Sequence, residues 1–153
     1  MKEKKKIKLA DHPDSFVLDS SALLTLWNGE EGAARVEEIL RSGKKVYISF
    51  MSVMECRYRL WKNIGPGEAN EFLKYLDLLP LEIIEITEAI FEKAVEIKAT
   101  KNLSVCDSWI IATAIATHSF LIHKDPEFEQ VKKQVNLKPL PYKNKTKKGP
   151  PFK

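Results

Sequence analysis

Four acidic residues of this 153-residue chain each stand at the border of an apolar segment. Asp19 ends the run Phe16-Val17-Leu18 and is followed by Ser20-Ser21. Glu55 stands in Met51-Ser52-Val53-Met54-Glu55-Cys56, and Asp107 in Leu103-Ser104-Val105-Cys106-Asp107-Ser108-Trp109. Asp125 closes Leu121-Ile122-His123-Lys124-Asp125 and precedes Pro126. Carboxylates that converge on one point repel one another and raise one another's pKa values. Such a cluster persists where hard divalent cations sit among the oxygens, and an oxygen-only set suits Mg2+ or Mn2+. The chemistry that follows is phosphodiester hydrolysis, in which metal activates water and stabilises charge on phosphate oxygens.

Three of the four acids also have a structural explanation. Ser52-x-x-Glu55 and Ser104-x-x-Asp107 match the capping box, in which a first-turn acid bonds back to the N–H of the cap residue. Asp125 before Pro126 has the form of an N-cap followed by proline at the first helical position. Taken singly, each is better read as a helix-start acid than as a catalytic one. Asp19 differs, because it directly ends an apolar strand, and ligands of open α/β sheets bind just beyond the strands' carboxyl ends. If the first, second and fourth strands are parallel neighbours, Asp19, Glu55 and Asp125 meet at one sheet edge, and the helix that starts near Asp107 brings its first turn there.

Other chemistries lack their signatures. The chain has neither a G-x-x-x-x-G-K-[ST] loop nor a G-x-G-x-x-G turn for nucleotide phosphates. Its two cysteines and three histidines lack zinc-site spacing. No G-x-S-x-G elbow is present. Asp19 has no second acid two residues on, as an aspartyl-phosphate phosphatase would want.

The elements that must position these acids are legible from periodicity. Short apolar runs at 16–18, 46–48 and 120–122 read as buried strands, the alternating 81–86 as another, and 135–137 as a final one. Helices are expected over 20–27, 32–41, 52–61, 68–79, 87–100 and 105–117, with a short one at 126–133. Gly65-Pro66-Gly67 punctuates the third and fourth helices, and Thr87 is the expected N-cap of the fifth. Short buried strands alternating with helices imply an α/β/α sandwich around a mostly parallel sheet of four to five strands.

Length permits one domain with a full core, and the 44% hydrophobic, 30% charged composition is that of an ordinary globular protein. No apolar run approaches the ~20 residues of a membrane span, and the Lys-rich start leads into Asp11-His12-Pro13 without a signal-like apolar stretch. These features point to a soluble, cytoplasmic protein whose Cys56 and Cys106 are free packing residues. The net charge of +4 conceals an asymmetry. Residues 1–10 carry five Lys and one Glu, residues 131–153 carry eight Lys and no acid, and residues 11–130 are left at −8. The expected organisation is a basic arm over 1–15, a folded domain over 16–137 and a flexible Lys/Pro-rich tail over 138–153.

The order of these segments resembles the PIN-domain family, and within it the VapC-type toxins, over about residues 16–137. The resemblance rests on Val17-Leu18-Asp19-Ser20-Ser21-Ala22-Leu23-Leu24, on Ser52 to Glu55, on Leu103 to Ala114 and on Leu121 to Phe128, in that order. It implies that Asp19, Glu55, Asp107 and Asp125 hold Mg2+ or Mn2+, with Ser21 assisting at the end of the first strand. Glu127 takes the place of a further family acid, usually Asp, and its longer stem leaves direct metal contact open. His123 stands where the family prefers Thr or Ser and reads as a half-buried polar residue rather than a catalytic base. The function implied is RNA cleavage without a covalent intermediate, by a homodimer whose pocket is covered by a VapB-type antitoxin. The alternatives are a similar nuclease of RNA maturation or DNA processing with no antitoxin, and a catalytically silent domain that binds RNA or protein through its basic tail.

Overall fold

Val17, Leu18, Ile48, Leu121 and Ile122 are almost completely excluded from solvent, as strands covered on both faces require. In the computed structural model, which describes residues 14–143, they lie at the centre of a five-stranded sheet. The chain runs β1 (Ser15–Leu18), α1 (Ser20–Asn28), α2 (Ala33–Arg41), β2 (Lys45–Ser49), α3 (Phe50–Asn63) and α4 (Pro66–Leu78). It continues through β3 (Glu82–Ile84), α5 (Glu88–Thr100), α6 (Val105–Ala116), β4 (Phe120–His123), a 3-10 turn (Pro126–Val131) and β5 (Leu137–Pro139). The strand order is β3-β2-β1-β4-β5, and every neighbouring pair is parallel.

Strand alternation divides the core into two layers. Phe16, Leu18, Val46, Ile48, Phe120 and Ile122 face α1 to α4 and pack with Leu23, Val36, Leu60 and Phe72. Val17, Tyr47 and Leu121 face the other way, onto Ile97 and Ile110 of α5 and α6 and onto Phe128 and Val131 of the 3-10 turn. The result is the expected α/β/α sandwich. Because β1 is central and the chain winds outward first through β2 and then through β4, the topological switch point falls between β1 and β4, at their carboxyl ends. Among the described residues, no helix is long and apolar enough to cross a membrane.

Several boundaries differ from the sequence reading, each for a local reason. α3 begins at Phe50, because Ser49, the last residue of β2, caps it by accepting the Met51 N–H at 3.1 Å. Ser52 therefore lies inside the helix, and the Ser52–Glu55 capping box does not form. Pro66 opens α4 as its first residue, where a missing N–H is harmless, rather than separating two helices. β3 is half its expected length, because its partner β2 ends at the Ser49–Ile84 pair. β5 lies two residues further on than expected, pairing Leu121 with Leu137 through His123 with Pro139. Leu140 beyond it is buried and packs beside Gly32, whose φ of +102° is a conformation that residues with a side chain rarely adopt. Residues 138–140 thus belong to the folded body and not to a tail. The remainder of the expected tail from residue 144, and of the expected arm up to residue 13, lies outside the described residues.

Candidate active site

Asp19 follows β1 directly, and its backbone N–H continues the ladder by donating to Ile122 O at 3.0 Å. It is 3% exposed. It also N-caps α1: Oδ2 accepts the Ser21 N–H at 3.4 Å and the Ser21 hydroxyl at 2.5 Å. Capping thus applies to the acid that the sequence distinguished from the other three. It does not compete with ligation, because it engages Oδ2 and leaves Oδ1 buried with no hydrogen-bond partner. Ser21 in turn accepts the Lys124 N–H at 3.1 Å, so a bonded path runs from the residue after β4 to the Asp19 carboxylate.

Glu55 enters from the second turn of α3, 6% exposed, with Arg59 Nη2 at 3.7 Å from Oε2. Asp107 enters from the first turn of α6, where Ser104 is the N-cap and accepts the Asp107 N–H at 3.1 Å. Asp125 N-caps the 3-10 turn, accepting the Glu127 N–H at 2.9 Å, with Pro126 behind it. Asp19, Glu55 and Asp107 each bring a carboxylate oxygen within 4.8 Å of the others. Asp125 is outside that group, though near enough for its charge to act on Asp107. Glu127 is solvent-exposed and also outside it.

The electrostatics are those of a site short of positive charge. Burial pushes the Asp19 carboxyl up to about 6; the Ser21 hydrogen bond opposes this and the Glu55 charge reinforces it. Burial and then the Asp19 charge push Asp107 up to about 7, with Glu55 and Asp125 adding to the rise. The neighbouring thiols are held protonated: burial raises Cys56 strongly, and burial with Glu55 takes Cys106 up to about 11. Both therefore act as packing residues, as their poor match to hard cations requires. A hard divalent cation fits the remaining set. The donors are all carboxylate oxygens, they converge from three elements, and one buried lone-pair site on Asp19 is otherwise unused.

His123 is fully buried rather than half-buried. Its Nδ1 accepts the Asp125 N–H at 3.2 Å, and its ring packs on Phe128 at 4.9 Å. Burial lowers its pKa, so the neutral imidazole positions the Asp125 loop. Two cations went unnoticed in the sequence. Arg59 was available as the i+4 partner of Glu55 on a helix. Lys124 had no local signal: its side chain, 5% exposed, reaches Thr25 Oγ1 (3.2 Å), Glu31 O (2.8 Å) and Glu30 Oε2 (3.5 Å), all more than 90 residues earlier. Beside the acids opens a cleft of about 660 Å³, lined by Ser21, Tyr58, Arg59, Lys62, Lys124 and Asp125 among others.

The chain is thus an all-parallel α/β/α sandwich with an acidic cluster at the switch point. Residues 16–134 match the model of the PIN domain, and the chain belongs to that family. No curated protein gives a significant sequence match. Among solved structures, the chain is similar to VapBC2 from Rickettsia felis bound to a DNA fragment from their promoter, with TM-score 0.69 at 16% identity, covering 83% of this chain and 99% of that one. It is similar to DNA-bound VapBC from Salmonella typhimurium, with TM-score 0.67 at 19% identity, covering 82% and 97%. It also resembles VapC20 of Mycobacterium tuberculosis, described as a sarcin-ricin loop cleaving toxin, with TM-score 0.58 at 15% identity, covering 69% and 86%. At these identities the likeness is one of fold.

Proposed function

We propose that this chain is a metal-dependent endoribonuclease and the toxin of a toxin–antitoxin pair. The observation that carries the reading is the convergence of Asp19, Glu55 and Asp107 at the switch point, with Asp19 Oδ1 buried and unpartnered. These three would hold Mg2+ or Mn2+, with Asp125 adding negative charge from the neighbouring turn and Glu127 too exposed to be counted a direct ligand. When bound, the metal supplies an activated water and charge neutralisation at the phosphate.

The chain's own residues fix the acids. Ser21 orients the Asp19 carboxylate, and its bond from Lys124 N ties that orientation to the end of β4. Ser104 fixes the first turn of α6 and so the direction of Asp107. Among the described residues, no cysteine or histidine is placed as a nucleophile or base, which supports hydrolysis without a covalent intermediate. A VapB-type antitoxin is proposed as a partner on the strength of the VapBC complexes that share the fold, and a homodimer is proposed on the family resemblance alone. An RNA substrate is supported by the cleaving toxin among them.

The test is incubation of the purified protein with total RNA, with and without Mg2+ or Mn2+, followed by mapping of the cut ends. Cleavage should require metal and should be lost in Asp19→Asn and Asp107→Asn, with both variants folded. Expression of the wild-type chain alone should slow growth of a host cell, and Asp107→Asn should not. Metal-independent cutting, or near-normal activity in either variant, would return these acids to a purely structural role.

A further inference from the structure

Lys124 is a nearly buried lysine, its side chain 5% exposed, and it is anchored at both ends. Its backbone N–H donates to Ser21 Oγ at 3.1 Å, and its ammonium donates to Thr25 Oγ1 at 3.2 Å. Ser21 and Thr25 are four residues apart on α1, so the two anchors lie one turn apart on one helix face. The ammonium is completed by Glu31 O at 2.8 Å and Glu30 Oε2 at 3.5 Å, just beyond the end of α1. Taking an ammonium out of water is costly unless it is paired and hydrogen-bonded, so these three oxygens fix where the side chain must end. The residues on either side have other partners: His123 O accepts the Leu140 N–H at 2.7 Å, and His123 Nδ1 accepts the Asp125 N–H. Lys124 supplies the bonds from this stretch to α1.

We infer that Lys124 is a positioning residue for the carboxylate cluster: its ammonium seats the residue so that its own backbone N–H fixes the Ser21 hydroxyl. A serine hydroxyl has one proton to give. Because Ser21 Oγ accepts from Lys124, that proton is directed to Asp19 Oδ2, and Oδ1 is left as the unpartnered oxygen. The inference rests on the metal site proposed above and names a side chain on which its alignment depends. The role is one of placement and not of charge. The influences on Asp19 and Asp107 are burial, hydrogen bonds and the neighbouring carboxylates. The two roles also differ in sign. Removing a positive charge near a cation site lessens repulsion and tightens metal binding. Removing the support of a ligand weakens it.

The experiment uses the full chain with Mn2+ alone as the probe, its affinity read by calorimetry, and amide hydrogen exchange read separately in EDTA. Lys124→Met keeps the stem and drops the ammonium, and Glu30 retains Lys143 at 3.2 Å as its partner. Mn2+ binding should weaken about tenfold, the low end of the range for groups that hold a metal ligand in place. Ser21→Ala should weaken it at least as much, and the double variant no more than Ser21→Ala alone, since Lys124 acts through Ser21. In EDTA, exchange at Ser21 and at residue 124 should quicken about tenfold in Lys124→Met, while Val17 and Leu121 in the centre of the sheet stay protected. Lys143→Gln, which removes the exposed partner of Glu30, should change neither reading. If Lys124→Met fails to fold, Thr25→Val keeps the shape, removes one anchor and should give the same changes at smaller size. Unchanged or tighter Mn2+ binding in the folded variant, or additive losses in the double variant, would overturn the inference. If the wild-type chain binds no Mn2+, the proposed reaction fails, and the exchange rates alone decide whether the Lys124 ammonium holds Ser21 in place.

Discussion

Replacing Asp107 by Asn removes one charge from a cluster that repels itself, and the consequence for stability can be worked from the structure. Burial and the Asp19 charge take the Asp107 carboxyl from 3.8 to about 7. A folded-state pKa above the unfolded one means that the native protein binds the proton more tightly, so metal-free stability falls as pH rises from about 4 to about 7. At ~1.36 kcal/mol per pKa unit the rise corresponds to an upper bound of about 4 kcal/mol. The carboxyl is only partly buried, and solvent screening brings the working figure to about 2 kcal/mol. Asn cannot ionise, keeps the backbone N–H that Ser104 accepts, and escapes the penalty. Unfolding followed by circular dichroism in EDTA should therefore show Asp107→Asn and wild type nearly equal below pH 4. At pH 8 the variant should be higher, by about 4–8 °C in Tm for a chain of this size. Saturating Mg2+ at pH 8 should reverse the order, since metal binds the intact cluster and not the unfolded chain. If the variant is the less stable protein at pH 8 in EDTA, the carboxylate is held by favourable contacts and the cluster is not a site short of positive charge.

Divalent metal at about one hundred times its dissociation constant should stabilise the wild-type protein by about 2.7 kcal/mol. A calorimetric scan should find that gain absent from an Asp19→Asn, Glu55→Gln double variant, and an equal gain in both would place the metal elsewhere. Deleting residues 144–153 removes four lysines and spares β5 and Leu140. In the Asp107→Asn form it should flatten the salt dependence of RNA affinity by up to about 3 on the log–log slope, and in the wild-type background it should change cleavage at saturating RNA little. Identical slopes with and without the segment would show that its lysines do not touch the substrate.

The sheet was legible because its strands are short, apolar and separated by helices with clear periodicity. The acids were legible because each sits where an apolar run stops. What could not be read was which oxygens would be engaged. The sequence set capping against ligation as alternatives, whereas Asp19 caps with one oxygen and leaves the other unused. The capping box assigned to Glu55 failed because Ser49, the last residue of a strand, starts the helix with no intervening loop. Asp125 matches the motif as well as the others, yet its carboxylate serves the 3-10 turn and lies outside the close group. Lys124 and its partners are separated by most of the chain, beyond the reach of any periodicity. β3 was overestimated because alternation continued past the last residue that its neighbour could pair.

The central place of β1 has a consequence for how the protein is made. Its flanking partners are β2, paired from Ser15 with Lys45, and β4, paired from Phe16 with Phe120. Asp19 itself donates to Ile122. During synthesis the first strand therefore waits for more than a hundred residues before one of its two edges is closed, and contacts so distant in sequence form late. Asp107 arrives on the helix just before that closure, and the backbone path through Lys124 and Ser21 just after it. A nascent chain still held by the ribosome at residue 110 has all three close carboxylates in its sequence and no β4 to align them. On the proposed function, competence to cut RNA would then be acquired only after β4 has emerged and paired with β1, so the chain carries its carboxylates for some time before it aligns them.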